Sequence, residues 1–350
     1  MRILCFGAGA IGTYIGGSLA LRGQDVVFLE RSEIADTLST RGLRLVLPDG
    51  AHEVPNPRMV SSIGAALDTG AFDFAILAVK SFDTVPLLQS MAGVLQRLPP
   101  FLSLQNGVEN EERLSEFLGR ERVIPATVTS AVGRRDAGDI VLERLRGVGV
   151  ADTGSLARSI HAAMEDAGLK PKLYSNAASM KWSKLLTNLV SNATSAIMNM
   201  SPAEIFSHPL LYRLEVRQLR ETLRVMAAQN IPVVSLPGTP VKLLGFGLRW
   251  LPLAFLQPLL KRAAGSGRGG KMPSFHIDLY SGRKQSEVAF LNGAVVRFGQ
   301  RLGVRTPVNQ VLTQTLSGMA AGDIDKDLYA RRPELLLQAV HAAETAAPGK

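Results

Sequence analysis

Apolar runs and helical periods divide this chain into two parts of different grain. Residues 2–6, 25–29, 74–79, 101–104 and 123–128 are short apolar stretches, the form taken by buried strands. Helical stretches at about 84–97 and 109–118 lie between them. Alternation of this kind predicts a parallel sheet with helices on both faces. Shorter strand patterns near 139–150 predict an antiparallel extension, and a helix at 155–167 with a strand at 171–174 closes this part. From Asn176 onward helical periods dominate, over 176–198, 202–229, 286–302 and 308–320. Pro171, Ser175 and Asn176 punctuate the change, so one domain is expected over 1–174 and an all-α domain over 175–335. The Ala-rich tail, 336–350, is expected to fray.

The first apolar run leads directly into Gly7-Ala8-Gly9-Ala10-Ile11-Gly12, and a small-residue helix follows. A glycine fingerprint between a strand and a helix is the phosphate-binding turn of a Rossmann-type fold. Gly7 permits the turn, Gly9 lets a pyrophosphate approach the backbone, and Gly12 allows close helix packing. The fold class is therefore α/β, a dinucleotide-binding domain followed by a helical one. The second strand ends in Leu29-Glu30-Arg31-Ser32. An acidic residue there reads ribose hydroxyls and favours NAD, whereas an arginine accommodates the 2′-phosphate of NADP. Arg31 beside Ser32 leans toward NADPH, and Glu30 leaves NADH open. Lys80 and Asn106 stand at the carboxyl ends of later strands, where ligands of open α/β sheets bind. Alternatively, they are a loop cation and a turn residue.

In the helical part, Lys184, Asn188 and Asn192 recur at i, i+4 and i+8. On one continuous helix they would line a single face among the apolar Leu185, Leu186, Leu189 and Val190. Buried polar groups need partners. The stripe is either a solvated or interface face, or a site wall offering one proton donor and two amides to a small polar ligand.

Composition narrows the function classes. Of the residues, 46% are hydrophobic and 20% charged, as in an ordinary globular protein. Five scattered histidines and one cysteine give no metal-ligand spacing. The lone Cys5 fits a reducing compartment, and no export signal is recognisable, so a cytoplasmic protein is expected. The net charge of +9 invites a nucleic-acid reading. Its distribution argues against one. Between Pro232 and Ile277 there is no acidic residue and six cations, Lys242, Arg249, Lys261, Arg262, Arg268 and Lys271. Most of the excess is thus local. Residues 231–272 are rich in Pro, Gly, Leu and Arg, and Leu243–Leu260 is apolar apart from Arg249 and Gln257. The favoured reading is a pair of short helices covering the substrate cleft or making a subunit contact, which fits a homodimer. A membrane-surface contact through 243–260 is the weaker reading.

Taken together, the motifs resemble the ketopantoate reductase (2-dehydropantoate 2-reductase) family. Those that carry the resemblance are Gly7–Gly12, Lys80 in Ala-Val-Lys-Ser, Gln105-Asn106-Gly107-Val108-Glu109, the Lys184/Asn188/Asn192 run, Ser274, Ser286-Glu287 with Asn292-Gly293, and Thr306-Pro307-Val308-Asn309. The resemblance implies NADPH-dependent reduction of a 2-oxo acid, ketopantoate first among them, to a 2-hydroxy acid in a cleft between domains. It assigns Lys184 as general acid, Asn188, Asn192 and Ser274 to the substrate, Glu287 to ligand hydroxyls, and Lys80 and Asn106 to the cofactor. The nine-residue step from Asp278 to Glu287 is one longer than the commonest family pattern, and beside the family's shorter form residues 231–272 look like an insertion. Another 2-oxo acid or an imine is the alternative substrate. A non-catalytic dinucleotide sensor is the alternative class.

Overall fold

The structure is a computed structural model that describes residues 1–258, 260 and 272–346. The chain divides into two compact units, one of Met1–Lys181 with Leu236–Thr239 and one of Trp182–Ser235 with Pro240–Lys350. Gly265–Gly270, whose glycines and arginine predict a basic loop, lies outside the described residues.

The first unit contains twelve strands. In chain order they are β1 (Arg2–Phe6), β2 (Asp25–Leu29), β3 (Leu43–Leu47), β4 (Gly50–Val54), β5 (Arg58–Val60), β6 (Phe74–Leu77), β7 (Phe101–Ser103), β8 (Val123–Val128), β9 (Ala131–Asp136), β10 (Asp139–Arg144), β11 (Val148–Ala151) and β12 (Pro171–Tyr174). Eight form one sheet in the order β12-β11-β8-β7-β6-β1-β2-β5. From β8 to β5 every pairing is parallel, and only β11 runs against its neighbour β8. The reason is in the side chains: β6 is buried along its whole length and β1 from Ile3 onward. Strands apolar on both faces demand cover on both. Phe28, Phe74 and Phe101 fill that core without exposure. Chain order reverses on either side of β1, between β6 and β2, which makes the carboxyl end of β1 the switch point where such sheets bind ligands.

Sequence patterning missed a second sheet, of order β4-β3-β10-β9. Its strands are short and half-exposed, so they lack the continuous apolar runs that mark the main sheet. The antiparallel extension expected near 139–150 is therefore shared, β10 joining this sheet and β11 the main one.

The second unit is helical among the described residues, as expected, but several predicted helices are divided. The stretch 202–229 becomes Pro202–Ser207 and Pro209–Ala228, because Pro209 has no N–H to continue a helix and restricts His208. The stretch 286–302 becomes a 3-10 turn, Glu287–Phe290, and a helix, Asn292–Arg301. The tail does not fray where composition suggested, since Pro333–Thr345 is a helix that buries Leu336 and Val340. No helix among the described residues is long and apolar enough to cross a membrane.

The most consequential correction concerns the polar stripe. The helix predicted over 176–198 stops at Leu189 and restarts at Asn192. Ser191 between them is left-handed, at φ 50°. Lys184 and Asn188 share one helix, and Asn192 opens the next, so the three do not form a single i, i+4, i+8 row.

Candidate functional site

At the carboxyl end of β1 the backbone turns through Gly7 at φ 92°, a conformation that β-carbons disfavour. The Gly7 N–H donates to the Leu29 carbonyl at 3.0 Å, tying the turn to β2. A β-carbon on Gly12 would sit 1.9 Å from the Gly7 carbonyl oxygen, so packing alone excludes any larger residue. Gly9 differs. A β-carbon there would meet nothing within 4 Å, and its φ of −72° suits any residue. Protein packing does not require glycine at this position, whereas close approach by an outside group would. The helix Ala10–Ala20 starts here with no side-chain cap and no acid in its first turn. Such an end, with unsatisfied N–H groups and the positive pole of the helix, suits the phosphates of a dinucleotide.

Glu30 bears directly on this turn. Its Oε1 accepts the Ala8 N–H at 2.7 Å, and its Oε2 accepts the Arg31 N–H at 3.2 Å. The carboxylate is thus fixed against the glycine turn, while Arg31 is exposed.

Lys80 and Asn106 stand beyond the carboxyl ends of β6 and β7, as the strand pattern predicts. Lys80 precedes the 3-10 turn Ser81–Asp83. Asn106 is held through its main chain, its carbonyl accepting from Ser81 Oγ at 3.0 Å and Asn110 Nδ2 at 2.6 Å. Gly107 follows at φ 99°. The preceding Gln105 carbonyl accepts from Lys181 Nζ at 2.6 Å. Lys181 is nearly fully buried, and its ammonium also meets the Ala126 carbonyl at 3.2 Å and Glu111 Oε1 at 2.8 Å. Three donors therefore have three acceptors, which a buried lysine requires. Sequence reasoning passed over Lys181. Its signal was a lysine on the apolar side of a helix, three residues before Lys184.

In the second unit Lys184 and Asn188 lie one turn apart and half-buried on Ala177–Leu189. Asn192 is buried at the start of Asn192–Met198. Its Oδ1 accepts the Phe275 N–H at 3.1 Å, and its Nδ2 lies 3.4 Å from Ser274 Oγ. Two residues 82 positions apart, both singled out in the sequence, are thereby joined. Ser274 itself is exposed at the start of Ser274–Tyr280. Glu287 is buried at the head of its 3-10 turn, which Ser286 caps by accepting the Val288 N–H at 3.2 Å.

A carboxylate missed in the sequence holds the helix break. Glu215 is completely buried. It accepts the Ser191 N–H at 2.7 Å, Gln218 Nε2 at 2.8 Å and the Thr194 hydroxyl. Burial pushes its carboxyl up to about 7, although each of these hydrogen bonds pulls the other way. A second buried carboxylate, Glu221, accepts the Val308 and Asn309 N–H groups, each at 3.0 Å, and so caps the helix Pro307–Ala321. Asn292 and Asn309, part of the recognised motifs, bond to one another at 3.0 Å inside this network. Their place is structural. No cluster of His, Cys, Asp and Glu suited to a metal occurs among the described residues.

The comparisons with known proteins bear on the same two units. Residues 3–155 match the family described as ketopantoate reductase PanE/ApbA, and residues 176–320 match its C-terminal part. The chain belongs to the ketopantoate reductase family. It is 27% identical over 320 residues to the 2-dehydropantoate 2-reductase of Pyrococcus horikoshii, covering 89% of this chain and 95% of that one. It is 26% identical over 325 residues to that of Archaeoglobus fulgidus, covering 92% and 98%. Among solved structures, a PanE/ApbA family ketopantoate reductase from Ralstonia eutropha superposes with a TM-score of 0.77 at 25% identity, over 92% of this chain and 99% of that one. D-mandelate dehydrogenase with NADH and anilino(oxo)acetate superposes at 0.75 and 20% identity, over 92% and 99%, a likeness of fold. Members of the ketopantoate reductase family thus share both the Rossmann-type domain and the helical domain with this chain.

Proposed function

We propose that this protein reduces a 2-oxo acid, ketopantoate in the first place, to the 2-hydroxy acid with NADPH, as a cytoplasmic step of pantothenate synthesis. The observation that most supports the reading is the Asn192–Ser274 pair at 3.4 Å, at the start of the helix that follows Lys184 and Asn188. When bound, the cofactor would supply the hydride that the carbonyl carbon needs. Gly9 and the N-terminus of Ala10–Ala20 would hold its pyrophosphate, and Lys80 and Asn106 would orient it. Lys184 then donates a proton to the carbonyl oxygen as negative charge develops there, so the ketone gains one hydride and one proton. A lysine ammonium is an N–H donor and can serve. Asn188, Asn192 and Ser274 hold the substrate's polar groups, and Glu287 accepts its hydroxyls.

One observation favours a second reading of the cofactor. Glu30, fixed on the Ala8 N–H, places a carboxylate where a ribose is read, and a 2′-phosphate beside it would be repelled. That favours NADH. The deciding experiment is oxidation of NADPH and of NADH with ketopantoate against a panel of 2-oxo acids. Turnover with no member of the panel would defeat the reading.

A further inference from the structure

The insertion presents an apolar face to solvent. On the helix Val241–Trp250, Leu243, Phe246 and Trp250 are 70%, 60% and 72% exposed, and Phe255 just beyond is 66% exposed. Spacing of i, i+3 and i+7 puts the first three on one face. Val241, Gly245 and Leu248 are buried on the other. The four exposed side chains together offer roughly 500 Å² of apolar surface, the scale at which a patch on a soluble protein marks an interaction site.

This face is not a loose end. Arg220 Nε donates to the Leu248 carbonyl at 2.7 Å, and Tyr212 Oη donates to that of Leu253 at 2.5 Å. Gln257 Nε2 donates to the Phe206 carbonyl at 2.9 Å. A β-carbon on Gly247 would come 3.0 Å from Leu256 Cδ2, so the helix lies close on the segment that follows it. The inner side is fastened, and the outer side is held outward.

The charge of the segment says what it meets. Lys242 and Arg249, seven residues apart, flank the apolar row as a second exposed row on the same helix. They are the cations of the described part of Pro232–Ile277, a stretch with no acidic residue. A second copy is a poor occupant. A twofold pairing would set this face, with its cations, against itself. A surface of negative charge over an apolar interior is complementary to both rows at once. Tryptophan and phenylalanine flanked by lysine and arginine are the side chains that lie at the boundary between headgroups and acyl chains. We propose that the Leu243–Phe246–Trp250–Phe255 face seats the protein on an anionic phospholipid surface, lying in the interface without crossing it.

The test uses the full chain and phosphatidylcholine vesicles, with or without about a third phosphatidylglycerol. The chain has two tryptophans. Trp182 is 3% exposed, so a shift in emission on adding vesicles reports Trp250. Expected are co-sedimentation and a blue shift with the anionic vesicles, both weakened by salt. The Phe246→Glu/Phe255→Glu variant keeps Trp250 as reporter and alters only exposed side chains, so its melting temperature should be unchanged. Its vesicle affinity should fall by at least about tenfold. No uptake by either vesicle would overturn the proposal. So would equal uptake by neutral vesicles, or a dimer in solution that the variant dissolves while vesicles take up nothing.

Discussion

The main-chain N–H of Ser191 donates to Glu215 Oε2 at 2.7 Å inside a fully buried pocket of the helical unit. A left-handed serine costs about 1–2 kcal/mol, and a carboxylate without water costs more. Each answers the other. The strained residue turns its N–H to the carboxylate, and the carboxylate, with Gln218 and Thr194, fixes the place where one helix ends and the next begins. Asn192 thereby starts a new helix with its amide toward Ser274 and the Phe275 N–H.

Glu215 should make stability depend on pH. Its carboxyl, raised from 4.5 to about 7 by burial, keeps its proton in the folded state where the unfolded chain has lost it. The associated stability is fully present below pH 4.5 and is lost as pH rises through about 7. The loss is on the order of 3 kcal/mol at most. Urea unfolding at pH 5 and pH 8 should show a decline in wild type that is smaller in Glu215→Gln. Equal declines in both would assign it to other groups.

Lys184→Ala should lower kcat by at least about 100-fold, the lower end of a general-acid contribution. Cofactor affinity, measured by NADPH fluorescence, should be unchanged. Turnover equal to wild type would take Lys184 out of the mechanism.

Glu30 and Arg31 should act in opposite directions on cofactor choice. Arg31→Ala should raise KM for NADPH far more than for NADH. Glu30→Ala removes the carboxylate that binds the Ala8 N–H, and should improve kcat/KM for NADPH relative to NADH. Parallel changes for both cofactors in both variants would mean that neither residue reads the 2′ position.

Two alanine substitutions separate packing from ligand approach in the glycine turn. Gly12→Ala forces a carbon to 1.9 Å from the Gly7 carbonyl oxygen and should lower the melting temperature as well as cofactor affinity. Gly9→Ala meets no protein atom within 4 Å, so melting should hold while cofactor affinity drops. Unaltered NADPH binding in Gly9→Ala would place the pyrophosphate elsewhere.

The central strands of the main sheet were legible because strands buried on both faces are written as apolar runs, as in residues 3–6 and 74–77, whereas the half-exposed edge strand Arg58–Val60 was not. The glycine turn was legible because its steric demands fall on neighbouring residues. The helix break at Ser191 was not, since Val190 and Ser191 carry no local signal and the residue that sets the break lies 24 positions away. Lys181 was hidden for the same reason: its acceptors lie 55 to 76 residues distant. The second sheet escaped notice because half-exposed strands such as Gly50–Val54 lack an apolar run.

Cys5, in the middle of β1, is the single cysteine of the chain and is completely buried, and burial raises its thiol well above the usual range. Native protein should therefore ignore thiol reagents, and modification should wait for the Rossmann core to open. The rate of labelling becomes an internal clock for that opening. It requires no engineered probe, and any cofactor that settles on the neighbouring turn should slow it.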